Sequence, residues 1–273
     1  MNAILSLGRW TLALTDYILS LSRLGLQCLY WALIAPFERE RRPSYTSTIH
    51  HLVFAGVESL PILFLILFLV GMILAFNAAY QLMKLGVVSL VPAIVGVAMT
   101  REIGPLLTAI VIAARVGASY TAEIGTMRVS EEIMALETLA INPIRYLVVP
   151  RMVAMVLLFP LLVTCANCVG IAGGLFVGWI NLGMSAGTYV SATFDSLVQR
   201  DLMVGLIKSL FFAAIIVLVS CREGLMVTGG AEGVGKATTR SVVNTIVLVI
   251  AANLFFAMLF FFQDQWNLGG GHG

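Results

Sequence analysis

The sequence predicts an all-α membrane protein: an N-terminal amphipathic helix lying in the membrane interface, about five transmembrane helices, and a short helix in a cytoplasmic loop. Two observations lead there. Of 273 residues, 60% are hydrophobic and 11% charged, with a mean hydropathy of +0.99. A soluble domain is about 45–50% apolar and about 25% charged, so this chain has too few charges to cover a soluble surface. The second is the spacing of five long apolar runs, over roughly 59–80, 87–114, 151–182, 202–221 and 242–262. Each is long enough to cross a hydrocarbon core about 30 Å thick.

Residues 4–34 come first and read differently. Ser6, Arg9, Asp16, Ser20, Arg23 and Gln27 fall close to one line of a helix, and almost everything else there is Leu, Ile, Trp or Tyr. A narrow polar stripe on a wide apolar cylinder suits an interfacial helix, with a sixth spanning helix as the alternative. It does not read as a cleavable leader, because Arg9, Asp16 and Arg23 interrupt an apolar stretch that runs too long. The first span is expected to begin at Ser59-Leu60-Pro61, since proline is tolerated in a first helical turn, and Pro150 serves the third span in the same way. In that third span Gly170, Gly174 and Gly178 form a ridge of small residues on which another helix can pack closely.

Charge sets orientation. Arg9, Arg23, Arg39, Arg41 and Arg42 precede the first span. Arg115, Arg128, Arg145 and Arg151 separate the second from the third, and Arg222, Lys236 and Arg240 the fourth from the fifth. The opposite side has mainly Lys84 and Arg200. The positive-inside rule then puts the N-terminus in the cytoplasm and, after five spans, the C-terminus outside.

Several functions lose support. A net charge of +2 gives no footing for nucleic acid. Cys165 and Cys168 form a CxxC, yet no second pair accompanies them; they and Cys28 and Cys221 read as small apolar residues. His50 and His51 read as interfacial. GAEGVGK at 230–236 nearly spells a phosphate-cradling loop, but Ala237 replaces the hydroxyl that would hold magnesium, and the segment reads as a loop between two spans. No cofactor is called for. Nothing is drawn from the LGGGHG end.

Arg101 and Glu102 carry the most information. They lie near the middle of the second span, where an ionised side chain costs several kcal/mol unless it finds a partner or water. As neighbours they point about 100° apart on a helix and satisfy each other poorly. Pro105, after Gly104, removes a backbone donor and suggests a kink. Arg101 could take an anionic head group, because guanidinium matches phosphate with two parallel hydrogen bonds. The alternative is a structural ion pair with another helix.

The stretch from Arg115 to Arg151 is too long for a turn. Its middle, SEEIMALETLAINP, predicts an amphipathic helix over roughly 129–142, with Ser130 as cap, Glu131 and Glu132 in the first turn, and Asn142-Pro143 as the stop. Ile133, Leu136, Leu139 and Ile141 give it an apolar surface of the kind that docks into a soluble partner, or that rests on lipid or on its own chain.

Three strings, REIGPLLTAI (101–110), ARVGASYTAEIGTMRVSEEIMALETLAINPIRYLVVPR (114–151) and KATTRSVV (236–243), resemble the MlaE/YrbE permease family, and the likeness runs from about residue 50 to about 262. The resemblance implies a non-catalytic membrane subunit of a lipid ABC transporter in a bacterial inner membrane. It would form a homodimer on two cytoplasmic ATPase subunits, beneath a ring of MCE-domain proteins, with a STAS-domain subunit in some relatives. By the same resemblance the 129–142 segment is the coupling helix, with Glu131, Glu132, Ile133, Leu136, Glu137 and Leu139 facing the ATPase. A phospholipid cavity at the dimer interface would be lined by Asn77, Tyr80, Arg101 and Glu102. The rival reading is a stand-alone secondary transporter working through Arg101 and Glu102, disfavoured by an odd number of spans and the lack of an inverted repeat.

Overall fold

In a computed structural model the backbone is described for residues 2–34 and 45–269, and side chains for 15–31 and 48–263. The side chains of Ser6 and Arg9, and the whole of Arg39, Arg41, Arg42 and residues 270–273, therefore fall outside what is described. Among the described residues the chain is helical, without strands. Five helices are long and apolar enough to cross a membrane: Thr48–Leu85, Val88–Val129, Ile144–Asn181, Gln199–Leu225 and Gly230–Gln263.

These helices outrun the apolar runs. The second has 42 residues, about 63 Å at 1.5 Å per residue, twice the hydrocarbon thickness. α3 (Leu60–Leu85) begins where the sequence predicts, with Ser59 at its N-cap position and Pro61 in its first turn, but the span starts earlier, because α2 (Tyr45–Gly56) leads into it through a tight turn at Val57–Ser59. The second span is built from α4 (Val91–Ala98), α5 (Gly104–Ile112) and α6 (Ala118–Val129), joined by wider turns at Met99–Ile103 and Ala113–Gly117. Such π-type turns in a helix mark inserted strain, often at functional sites. The first lies just before Pro105, where the sequence suggests a kink. Likewise Pro150 lies in the first turn of α8 (Val149–Asn181), as the sequence predicts, while a π-type turn at Ile144–Val148 extends the third span ahead of it.

Between those two spans α7 is shorter than the predicted 129–142 helix and covers Glu132–Thr138. Glu131 and Ala140 take positive φ values of 62° and 57°, which break the helix at both ends. Ser130 caps nothing in α7; its hydroxyl bonds the Thr126 carbonyl, closing α6. Asn142 does not end α7 but accepts from the Ile144 amide at 2.9 Å, starting the next helix.

Beyond α8, the segment to residue 198, to which the sequence analysis assigns no element, holds α9 (Ala186–Ser196), capped by the Ser185 hydroxyl accepting from the Thr188 amide. Then come α10 (Gln199–Leu225) and α11 (Gly230–Gly269). Because α11 starts at Gly230, GAEGVGK forms its first turns rather than a loop, with Glu232 and Lys236 paired at 2.6 Å one turn apart.

The core forms where α8 meets α3 and α10. Gly71 lies against the carbonyl of Gly170, and Gly173 against that of Phe68, so a Cβ on either would strike backbone. Gly174 and Gly178 open a notch filled by Tyr189 of α9. The glycine ridge thus serves two partners on neighbouring faces. Replacing Gly71 with alanine should force α3 from α8 and cost about 1–3 kcal/mol, read as a lower thermal midpoint in detergent; an unchanged midpoint would show that the helices can part freely.

The N-terminal helix α1 (Asn2–Ile34) presents three faces over its described side chains. Leu24 and Cys28 are buried against the body, with Tyr17, Ser20 and Trp31 half-buried on the same line. Asp16, Arg23 and Gln27 are exposed together, and Ile18, Leu19, Leu26 and Leu29 form an exposed apolar face. Ser20, counted in the polar stripe from sequence, instead joins the contact line.

Candidate functional site

The wider turn at Met99–Ile103 sets Arg101 and Glu102 toward α10 and α11. Lys208 of α10 is fully buried, and its ammonium lies 2.6 Å from Glu102 Oε1. It also donates to the Arg101 carbonyl at 3.2 Å, one of the backbone acceptors available at the turn. Asn253 of α11 donates to Glu102 Oε2 at 3.1 Å. Arg101 points to Asp201 at 3.6 Å, longer than a hydrogen bond, and Asp201 also accepts from the Val198 amide at the start of α10. The two neighbours thus find separate partners on another helix, as the ion-pair alternative holds.

The group is open on one side. Side chains of Arg101 and Glu102 are 29% and 35% exposed, while Asp201 is mostly covered. Charges held at this depth, partly accessible, can meet an ionic ligand at low dielectric cost to the protein, because each is already compensated. Sequence reasoning missed Lys208, Asp201 and Asn253. Lys208 carried a signal, as a lone cation in the apolar run VGLIKSLFF.

Asn77 and Tyr80 do not join this group. Asn77 donates to the Ile73 carbonyl within α3, and Tyr80 is 63% exposed with the Lys84 ammonium 4.1 Å from its ring centre. They lie on a face of α3 that also exposes Leu65, Leu69, Ile73 and Phe76. On α11, Val243, Val247, Ile250 and Leu254 are exposed in the same way.

Toward the other end a second set of charges braces the segment around α7. Arg151, 2% exposed, meets Glu123 at 2.7 Å, donates to the Leu147 carbonyl and covers the Tyr120 ring. This ties α6, which enters α7, to α8, which leaves it. Arg115 holds Glu58 at 2.8 Å and the Ser59 hydroxyl at 2.5 Å, fixing the turn between α2 and α3. On α10, Arg222 bonds Ser20 of α1 at 2.6 Å and lies over the Tyr17 ring, and Glu223 balances it at 2.8 Å. Burial first, then the Glu223 carboxylate, push the Tyr17 phenol above its ordinary value, so it stays a neutral hydroxyl bonded to Asn244.

Within α7 the predicted contact residues separate. Ile133 is 2% exposed and anchors the helix to its own chain, so it is not free to face a partner. Leu136 is half-buried, and Glu131, Glu132, Glu137 and Leu139 are exposed, Leu139 at 70%.

The sequence model of the family described as Permease MlaE matches residues 48–259. A protein of Rickettsia bellii described as a probable ABC transporter permease is 37% identical over 262 residues, 96% of this chain and 98% of its own length. One from Rickettsia conorii with the same description is 40% identical over 222 residues, 81% of this chain and 86% of the relative. In Synechocystis a third is 37% identical over 215 residues, 79% of this chain and 82% of the relative.

Proposed function

Because the chain belongs to the MlaE permease family and is an ABC transporter permease, we propose that it moves phospholipids or related lipids between the bacterial inner membrane and an MCE-domain partner. As an ABC permease it is a non-catalytic, multi-pass component, and the ATPase is a separate subunit. That membership sets aside the stand-alone secondary transporter.

The single observation supporting a lipid cargo is the mid-span group of Arg101, Glu102, Lys208 and Asp201, open on one side among apolar helices. In this reading Arg101 exchanges its long contact with Asp201 for a lipid phosphate, which guanidinium holds with two hydrogen bonds. Glu102, tied to Lys208 and Asn253, fixes the turn that aims Arg101. The exposed apolar faces of α3 and α11, which include Asn77 and Tyr80, meet a second copy, and acyl chains lie in the cavity between the copies. Exposed patches of this size need a lipid or protein partner. The N-terminus and α7 face the cytoplasm, the C-terminus the periplasm, and α7 docks on the ATPase as the coupling helix.

Gentle purification of the tagged chain, with mass spectrometry of proteins and lipids, tests this. An ATPase, an MCE protein and phospholipid are expected together. Arg101→Ala should lower bound phospholipid about tenfold, at the lower end of what charged hydrogen bonds contribute, with the complex otherwise intact. Undiminished lipid would leave Arg101 as a structural partner of Asp201 only.

A further inference from the structure

The four charges of the mid-span group cancel. Arg101 and Lys208 supply the positive charge, and Glu102 and Asp201 match it. A phosphate bound at Arg101 adds a negative charge to that balance. At this depth an unbalanced charge is expensive, because little water is present to solvate it. Lys208 cannot offset it. Its side chain has no exposed surface, and its ammonium is spent on Glu102 at 2.6 Å and on the Arg101 carbonyl at 3.2 Å. A lipid whose head group is negative overall therefore leaves one charge uncompensated, whereas a head group that brings its own cation does not.

The place for that cation is visible. Glu102 is 35% exposed, and its carboxylate accepts from Lys208 at Oε1 and from Asn253 at Oε2. A carboxylate has about four acceptor sites, so Glu102 can take a further ammonium without giving up either partner. Arg101, 29% exposed, precedes it on the same wider turn. Because one ammonium touches both the Glu102 carboxylate and the Arg101 carbonyl, that carboxylate sits near the root of the Arg101 side chain. An anion site and a cation site are thus neighbours, which suits a phosphate and an ammonium joined by a short linker. Both open beside apolar surface, since Asn253 lies next to Ile250 and Leu254, exposed on α11.

We propose that this site selects a zwitterionic head group of the ethanolamine kind, phosphate on Arg101 and ammonium on Glu102, and discriminates against head groups of net negative charge. The selection rests on the reading of Arg101 as the phosphate ligand. It gives Glu102 a role in specificity in addition to fixing the turn. A glycerol head group could still donate its hydroxyls to Glu102, but a neutral donor makes a weaker hydrogen bond than an ammonium, and the added negative charge remains.

The test uses the purified complex, equilibrated with mixed micelles holding equal amounts of phosphatidylethanolamine and phosphatidylglycerol, with retained lipid measured by mass spectrometry. Lipid at this site is the share that Arg101→Ala loses. Within that share phosphatidylethanolamine should exceed phosphatidylglycerol about tenfold, the worth of one hydrogen bond between charged groups. Glu102→Gln keeps the size of the side chain and an acceptor for Lys208 but removes the negative charge, so the preference should invert. Asp201→Asn removes a charge while leaving Glu102 in place, and should also shift the ratio toward phosphatidylglycerol; that readout stands even where the glutamine variant fails to assemble. A parent complex that retains the two lipids in the proportion supplied, or variants that keep the parent ratio, would overturn the selection and leave the phosphate site standing. If Arg101→Ala loses no lipid, the phosphate reading falls and the selection falls with it.

Discussion

Glu102→Leu is expected to destabilise the permease by about 3–5 kcal/mol, the usual cost of stranding one partner of a buried pair, and to stop transport. The charge left behind is Lys208, whose side chain has no exposed surface. Lys208→Leu should cost less, because Glu102 is 35% exposed and keeps the hydrogen bond from Asn253. The double variant should return close to the parent stability, since apolar residues of similar volume often replace a buried pair without loss. It should still not transport. Thermal unfolding in detergent measures the first part, and lipid transfer by the reconstituted complex the second. Two equal single-variant losses would mean that Glu102 is as deeply buried as Lys208 when folded in a membrane. A double variant that transports would reduce the pair to scaffolding.

That asymmetry could not be read from the sequence. Arg101 and Glu102 stand out because charge is rare in an apolar run, and the need for partners follows from solvation alone. Which partners they find depends on how α10 lies across α4 and α5, a contact made between residues about a hundred positions apart. Lys208 was visible as an anomaly but nothing local linked it to Glu102. The spans were legible because lipid demands long apolar helices. Their ends were not, since Val116–Val129 and Ile144–Val148 are packed against other helices and continue the spans without being uniformly apolar. For α9 the sequence SAGTYVSATFDS is rich in residues that favour turns, and the helix forms because Tyr189 fills the notch left by Gly174 and Gly178. That is a tertiary cause, although Ser185 three residues before Thr188 carried the signature of a cap.

The sequence predicts the short amphipathic helix at α7 but not its narrower bounds, and it leaves open whether the apolar face meets a partner, lipid or its own chain. Helical periodicity groups Ile133 with Leu136 as one apolar surface, but that surface is turned to the permease's own core. Glu131 in the left-handed conformation leaves no local signature, because a non-glycine residue adopts it only where the surroundings impose it.

The consequence is a sharper test of coupling. Leu139→Asp is expected to release the ATPase from the purified complex while the permease stays folded in the membrane. Leu139 is 70% exposed, beside the exposed Glu137 and Met134, and an anchor of this kind is typically worth about 2 kcal/mol or more on truncation, or roughly thirtyfold in affinity. Burying a carboxylate where the leucine docked adds to the loss. Ile133→Asp should behave differently: its side chain is 2% exposed, so the charge enters the permease's own core and lowers its stability and yield. Co-purification of the ATPase with each variant, next to the thermal midpoint of the permease alone, separates the two. If Leu139→Asp still brings down the ATPase in full, α7 is not the docking helix. The brace of Arg151 and Glu123 beside it would then serve only to close the turn between the second and third spans.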